Sequence, residues 1–469
     1  MDVVLKINKT INDIVWGPAM LVLLIGVGLF LSVRTKFVAL RKLGFVLKST
    51  VGSLFKKEDR KQKSEHGELS PFQALSTALA ATVGTGNVAG VATAIALGGP
   101  GAVFWMWMAA VVGMTTKFAE IVLALDYREI SGDGRIQGGP MYYLKHGIKF
   151  KTVGKVLAFA FALFGAIASF GIGDMVQANS ITTAVQNLVG SQSNSVGLVT
   201  GIIIAVLALI VLLGGVKRIG QITSILVPFM ALFYIIGGLI IIISNISNIP
   251  ASFALIFQSA FTGEAASGGF AGATVMMAIR YGLARGVFTN EAGLGSSPIA
   301  HATAKTNHPV EQGMWGIFEV FIDTIVICSM TALVIISTGV WNSGADGAEL
   351  TIKAFNAGLP GNWGGNIVSI GLVLFAFSTI LGWSIYGASC AEYLFGSKVR
   401  TPYLILYCGL AVVGAIGGLK PVWAISDTLN ALMAIPNLIG LALLSGIVIK
   451  NSKEYFENGI TVRQSGIQK

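Results

Sequence analysis

The sequence predicts an all-α polytopic membrane protein with eleven transmembrane helices, and three observations point there. Of 469 residues, 54% are hydrophobic and only 12% charged, with mean hydropathy +0.75, whereas soluble chains carry about 25% charged residues. The apolar residues fall in runs of roughly 17 to 25, the length at which a helix crosses hydrocarbon. The 59 glycines suit close helix packing, because small residues let transmembrane helices approach.

The first span, 17 to 34, is followed by a basic loop and lacks a small-residue cleavage site, so it reads as a retained helix. The next loop carries Arg34, Lys36, Arg41, Lys42, Lys48, Lys56, Lys57, Arg60, Lys61 and Lys63, which places it in the cytoplasm and the N-terminus outside. Spans 2 to 6 fall near 71 to 97, 101 to 127, 153 to 188, 195 to 215 and 221 to 245. Spans 7 to 11 fall near 251 to 285, 313 to 339, 366 to 394, 403 to 418 and 421 to 449. Alternating from outside, the inner loops collect Arg128, Arg135, Lys145, Lys149 and Lys151, then Lys217 and Arg218, then Arg280, Arg285 and Lys305, then Lys398 and Arg400, then Lys450 and Lys453. Outer loops 191 to 195 and 245 to 250 hold none. The expected topology is a multi-pass protein of the cell (inner, cytoplasmic) membrane, embedded in the lipid bilayer, with its C-terminus in the cytoplasm. The net charge of +10 is spread over these short loops, so it sets topology and implies no nucleic-acid partner.

Setting span 1 aside leaves ten, and a five-plus-five split gives the second half inverted topology. That is a pattern of secondary transporters, whose binding sites lie at paired, glycine-interrupted spans. The chain divides accordingly into 1–70, an N-terminal helix and basic loop; 71–250 and 251–450, the two inverted repeats; and 451–469, a cytoplasmic tail. Span 2 contains AATVGTGNVAG at 80 to 90, and span 7 contains FTGEAASGGFAGA at 261 to 273. Glycine in a helix interior costs about 1 kcal/mol relative to alanine, and lipid cannot satisfy loosened backbone, so both spans 2 and 7 are expected to be broken where they face protein, water or ligand. At the first break, amides of Thr85, Gly86 and Asn87 suit a carboxylate. Carbonyls near Ala80, Thr82 and Val83 suit Na⁺ or an ammonium group.

The string GNV at 86 to 88, after AxVGx, resembles the first broken helix of sodium-coupled transporters of the LeuT-type fold. GGPGAVFWMWMAAVVG (98 to 113), GGPMYYL (138 to 144) and TNEAGLGSSPIAHA (289 to 302) resemble the alanine or glycine:cation symporter family, and the likeness spans essentially the whole chain. What the resemblance implies is a symporter, not an enzyme, that takes up alanine or glycine with Na⁺ or H⁺ and needs no cofactor. It further implies that Ala80 and Val83 lend carbonyls, and Ser378 and Thr379 carbonyl and hydroxyl oxygens, to one Na⁺. Thr82, Asn87 and Gln177 are then expected to touch substrate, and Phe270 and Trp383 to close the pocket around its small side chain.

Other features are weighed against this frame. Cys328, Cys390 and Cys408 have no metal-like spacing and read as packing residues. Among ionisable residues within or near spans, Lys117 and Glu120, three apart on a helix, are expected to neutralise each other. Asp126 and Glu392 lie near cytoplasmic ends as possible gates, while Glu319 and Asp323 share a helix face as a possible proton site. GIGD at 171 to 174 matches the GxGD string of intramembrane aspartyl proteases, but that chemistry needs two carboxylates sharing a proton, and the companion motifs are absent. A passive channel is the other alternative; it predicts a repeated selectivity ring, whereas the two halves here are inverted and non-identical.

Overall fold

A capping box and a break at the end of the helix it starts shape the first half of the bundle. The structure, a computed structural model, describes residues 2–54, 67–132, 134–262, 275–417 and 420–459. Helices α1 (Asp2–Val15) and α2 (Pro18–Arg34) pack against the last helix, and α3 (Val38–Arg41) and α4 (Leu43–Leu54) follow. Helix α5 (Pro71–Thr82) starts on a capping box, in which the Ser70 hydroxyl accepts from Gln73 N–H and the Gln73 side chain accepts from Ser70 N–H. It stops at Val83, which is extended (φ −77°, ψ 94°). A π turn over Gly86–Gly90 then leads into α6 (Val91–Gly98), bent 53° from α5.

The long helix α7 (Ala102–Asp126) runs through the middle, with 83% of its apolar window buried. After it come a two-residue hairpin, β1 (Glu129–Ile130) with β2 (Ile136–Gln137), and the short α8 (Pro140–Gly147). Helices α9 (Lys151–Ala168) and α10 (Val176–Val189) form one 39-residue rod joined by π-helical Ser169–Met175. Helices α11 (Asn194–Leu212) and α12 (Gly215–Ser244) lie at the periphery, only 39% and 33% buried, with Ile202, Val206 and Ile210 turned outward. Exposed aliphatic faces on helices of this length fit contact with lipid.

In the second half, α13 (Ile249–Phe261) is separated from α14 (Val275–Asn290), and the turn Glu291–Ser296 separates α14 from α15 (Ser297–His301). Helices α16 (Pro309–Val320) and α17 (Ser329–Ser337) are joined by π-helical Phe321–Cys328. Then follow α18 (Gly347–Gly358), α19 (Trp363–Phe395), α20 (Arg400–Ile416) and α21 (Lys420–Phe456). Among the described residues eight helices are long and apolar enough to cross a membrane, nine if the bent α5–α6 pair is one span. The predicted span 1 coincides with a shorter apolar helix, Pro18–Arg34, while another, Ile246–Phe261, covers only the first part, 251–261, of the predicted span 7.

The predicted second break, 261 to 273, lies outside the described residues from 263 onward; among the described ones, this part of the chain is interrupted at 291–296. There Glu291, Gly293 and Gly295 take φ of 55°, 92° and 81°, left-handed values that no helix continues through. One placement differs from expectation: Arg280 and Arg285, expected with Lys305 in one cytoplasmic loop, lie on α14, whose start packs on the Gly98 end of α6, where a Cβ on Gly98 would lie 3.1 Å from Met277 O. Lys305 sits at the opposite end, where Leu69 pairs with Ala304. Glycine-rich turn residues inside TNEAGLGSS ended the helix well after the run of apolar residues suggested.

Candidate functional site

The first break is held open by one side chain. Asn87 Oδ1 accepts from Gly84 N–H at 2.9 Å, capping the opened turn, while Asn87 Nδ2 donates to Asp323 Oδ1 at 2.7 Å and to Asp323 O at 3.2 Å. Asp323 also accepts from the Thr324 hydroxyl, which in turn accepts from Asn290 Nδ2 at 3.1 Å. Asn290 Oδ1 accepts from Ala292 N–H at 3.0 Å. A chain of hydrogen bonds therefore runs from the first break, through the π segment between α16 and α17, to the second. π turns leave backbone geometry irregular and occur often at functional sites.

Beside the first break, α19 comes unusually close to α5. Gly382 permits it: a Cβ there would lie 2.8 Å from Ala81 N. The Ser378 hydroxyl lies 3.1 Å from Ala80 O and 2.8 Å from Phe375 O, and Thr379 Oγ1 lies 3.0 Å from Phe375 O. Thr379 Oγ1 also abuts the α-carbon of Gly84, where a Cβ would stand 2.8 Å from it. Ala80, Val83, Ser378 and Thr379 are all buried, so neutral oxygens from two helices meet at one point next to freed backbone. Among the described residues no group of three His, Cys, Asp or Glu side chains could hold a metal ion.

A cavity of about 360 Å³ adjoins this point, lined by Thr82, Thr85, Gly86, Gln177 and Trp383, and also by Phe288, Thr289, Glu291 and Thr379. Gln177 Nε2 donates to Ile172 O at 2.9 Å, while its Oε1 is buried without a hydrogen-bond partner. Glu291 Oε1 accepts the Trp383 indole N–H at 3.0 Å, and Oε2 accepts the Ser296 hydroxyl at 2.5 Å. The cavity shares Thr85, Gly86, Gln177 and Phe288 with a vestibule of about 990 Å³ that reaches Thr183, Asn187 and Ala348, toward the end of the bundle bearing residues 190 to 193. At the opposite end Glu392 is ion-paired to Arg135 at 2.7 Å and to Arg400 at 3.4 Å, and accepts from Gln137 Nε2 at 2.7 Å. The vestibule opens toward one end, and at the other the Glu392 ion pairs tie α19 to the β1–β2 hairpin and to the start of α20.

The structure thus brings Thr82, Thr85, Gly86, Gln177 and Trp383 onto one cavity, with Ala80, Val83, Ser378 and Thr379 beside it. Asn87 lines neither cavity: its side chain is spent on Gly84 and Asp323, and its N–H lies 3.3 Å from Gly84 O. Phe270 lies outside the described residues. Phe288, Thr289 and Glu291 were not singled out by the sequence, although they sit at the start of TNEAGLGSS or just before it; positive φ is invisible in a stretch that also reads as loop.

The ionisable pairs also differ from expectation. Lys117 pairs with Glu319 at 3.3 Å rather than with Glu120. Glu319 further accepts from the Ser297 hydroxyl at 3.0 Å and meets His301 Nε2 at 2.9 Å, while Gln312 Nε2 lies 2.7 Å from His301 Nδ1. Glu120 Oε1 instead accepts from Gly293 N–H and Gly295 N–H at 3.1 Å each and from Asn437 Nδ2 at 2.6 Å, satisfying amides that the second break exposes. Spacing of three on a helix allows a contact, but the turn amides compete better because buried donors must be satisfied. At the Glu392 end Arg128 donates to Ala302 O and Ala304 O; burial lowers its pKa to about 10, which leaves it charged at neutral pH. Among the described residues, neither oxygen of Asp174, both of them buried, has a hydrogen-bond partner.

Comparison with known proteins accords with this geometry. The sequence profile of the sodium:alanine symporter family matches residues 1–467. The chain is 50% identical over 461 residues to the sodium/alanine symporter AgcS of Methanococcus maripaludis, covering 97% of this chain and 98% of that one. It is 38% identical over 447 residues to the probable sodium/glutamine symporter GlnT of Bacillus subtilis, covering 95% and 89%. Its fold is similar to that of the LeuT-fold protein MhsT, crystallised in complex with L-phenylalanine, at TM-score 0.57 and 12% identity, covering 82% of this chain and 98% of that one. By its sequence along nearly its entire length, this multi-pass membrane protein belongs to the sodium:alanine symporter family.

Proposed function

We propose that the protein is a secondary active symporter that imports alanine, glycine or both with Na⁺, H⁺ being the alternative coupling ion, by alternating access. The observation that carries this reading is the meeting of Ala80 O, the Ser378 hydroxyl and Thr379 Oγ1 at the broken end of α5, against a small cavity. A hard cation is held by several oxygens at about 2.3 to 2.6 Å in comparable calcium sites, and Val83 O completes such a set here. The first amides of the π turn, Thr85 and Gly86, have no helical partner of their own and take the substrate carboxylate. The ammonium group meets Gln177 Oε1 and the Glu291 carboxylate, and Trp383, fixed by its indole bond to Glu291, covers the side chain.

The eleven-span, five-plus-five arrangement has its extra helix at the N-terminus, which lies outside, and its C-terminus in the cytoplasm. Cation binding draws Val83 and Ala80 toward α19 and so orders the break that receives the substrate. Reciprocity then requires substrate to tighten cation binding by the same factor. The Glu392 ion pairs seal the cytoplasmic end in this outward-open form and part when the bundle rocks. A pocket this small rejects long side chains but separates glycine from alanine weakly, since one methyl is worth about 1 to 3 kcal/mol. Uptake by proteoliposomes in Na⁺, in choline and under an imposed pH gradient, with glycine, L-alanine, D-alanine and glutamine competing, tests the assignment. Inhibition by the small amino acids in Na⁺ alone is expected; equal uptake in choline without a pH gradient would overturn ion coupling.

A further inference from the structure

A second site lies far from the transport cavity, where the end of α2 meets the end of α21. Here α2 finishes at Arg34, the chain turns through Lys36 and Phe37, and α3 begins. Both turn residues are non-glycine residues with left-handed φ, 55° and 53°. Two such residues in succession store strain that surrounding structure must hold, and strained backbone of this kind clusters at ligand sites. The turn folds back on itself through Phe37 N–H to Ser32 O at 2.6 Å and Arg41 to Lys36 O at 3.2 Å.

The result is a cavity of about 530 Å³ lined by Arg34, Lys36, Arg41, Lys42 and Lys453, with Glu457 its one carboxylate. None of these five cations makes an ion pair among the described residues. Lys42 instead lies 5.6 Å over the Phe456 ring, and Arg34 lies 5.6 Å over Phe30. Five cations facing a single carboxylate leave a net positive charge of about four on the cavity lining, which suits an anion. Phe30, Val33, Phe37 and Leu40 stand 40–57% exposed on the same segment. That apolar rim has no use for a soluble anion and suits acyl chains.

We propose that this cavity binds the phosphodiester headgroup of an anionic phospholipid from the leaflet facing the basic loops. The headgroup phosphate sits among the five cations, and the acyl chains run along the exposed face of α2. Basic pockets between helix ends on the cytoplasmic side are suited to such headgroups. Bound lipid ties the N-terminal helix to α21, and through Ser452 and Phe456 to the tail end of the bundle.

The test uses the full chain, purified and reconstituted in phosphatidylcholine vesicles with or without phosphatidylglycerol. Lipid retained through detergent extraction is quantified by native mass spectrometry, and thermal unfolding is followed in parallel. The variant R34Q/K42Q/K453Q is compared with K149Q/K155Q/K217Q, which removes three exposed charges elsewhere on the same side. The pocket variant should lose phosphatidylglycerol preference by on the order of tenfold or more, whereas the control variant should keep it. Inorganic phosphate, added to neutral vesicles, should neither stabilise the protein nor displace the lipid. Equal lipid preference in the two variants would overturn the proposal, as would displacement by inorganic phosphate. If the triple variant fails to fold, K42Q alone should still lose part of the preference; unchanged retention in it would count equally against the site.

Discussion

Replacing Thr379 by valine removes one oxygen of the proposed cation site. Valine keeps the branched shape that packs against Gly84, so what is lost is Oγ1 with its hydrogen bond to Phe375 O. A hydrogen-bond-strength contact to a charged partner is worth about 1.5 to 3 kcal/mol, and each 1.4 kcal/mol is tenfold in an equilibrium constant. The Na⁺ concentration for half-maximal alanine uptake should therefore rise roughly 10- to 100-fold. The maximal rate at saturating Na⁺ should change much less. Uptake by proteoliposomes over a Na⁺ series reads this directly, and Na⁺-dependent protection against thermal unfolding reads the same affinity without turnover. A folded T379V protein with wild-type Na⁺ dependence in both measurements would falsify the placement of the ion between α5 and α19.

Other substitutions probe neighbouring parts of the site. Gly84→Ala sets a Cβ 2.8 Å from Thr379 Oγ1, so transport should be lost while membrane insertion, followed by surface labelling, stays normal. Glu291→Gln keeps one acceptor oxygen, for the Trp383 indole, and turns the other into an NH2 donor that the Ser296 hydroxyl can accept, while removing the charge; alanine affinity should fall roughly 10- to 100-fold in equilibrium binding, on the same charged-contact scale. Asn87→Ala orphans Gly84 N–H and Asp323 at a cost of about 1 to 3 kcal/mol each, and a melting temperature equal to wild type would show that Asn87 does not brace the break. Glu319→Gln leaves Lys117 buried without its partner and should destabilise by about 3 to 5 kcal/mol; adding Lys117→Met should recover part of that loss in the same unfolding assay.

Much of the first break was legible because its residues are anomalous where they stand. Gly84, Gly86 and Asn87 make poor helix and poor lipid contact at once, and period and polarity both announce it. Ser378 and Thr379 were reached only through family likeness, since hydroxyls in a membrane helix ordinarily bond back to their own backbone, as both also do here. The expected break at 261 to 273 lies outside the described residues, and the interruption at 291–296 was not read from the sequence. What marks that interruption in space is Glu291 at positive φ, with the Gly293 and Gly295 amides taken up by Glu120, a contact across 173 residues from Gly293 that no local pattern carries. The same distance hides the partner of Lys117: Glu319 is remote in sequence, so the nearer Glu120 looked sufficient. Gln177 could be named from its place in span 4, but only packing shows that Nε2 is committed to Ile172 O while Oε1 is buried without a hydrogen-bond partner among the described residues.

The most direct test of coupling tracks labelled alanine and Na⁺ together in proteoliposomes with an inward Na⁺ gradient and no alanine gradient. Symport through a shared site predicts that alanine accumulates above its external concentration, that Na⁺ influx rises with added alanine, and that both effects vanish when the gradient is dissipated. Alanine that only equilibrates, with Na⁺ influx indifferent to it, would contradict the account.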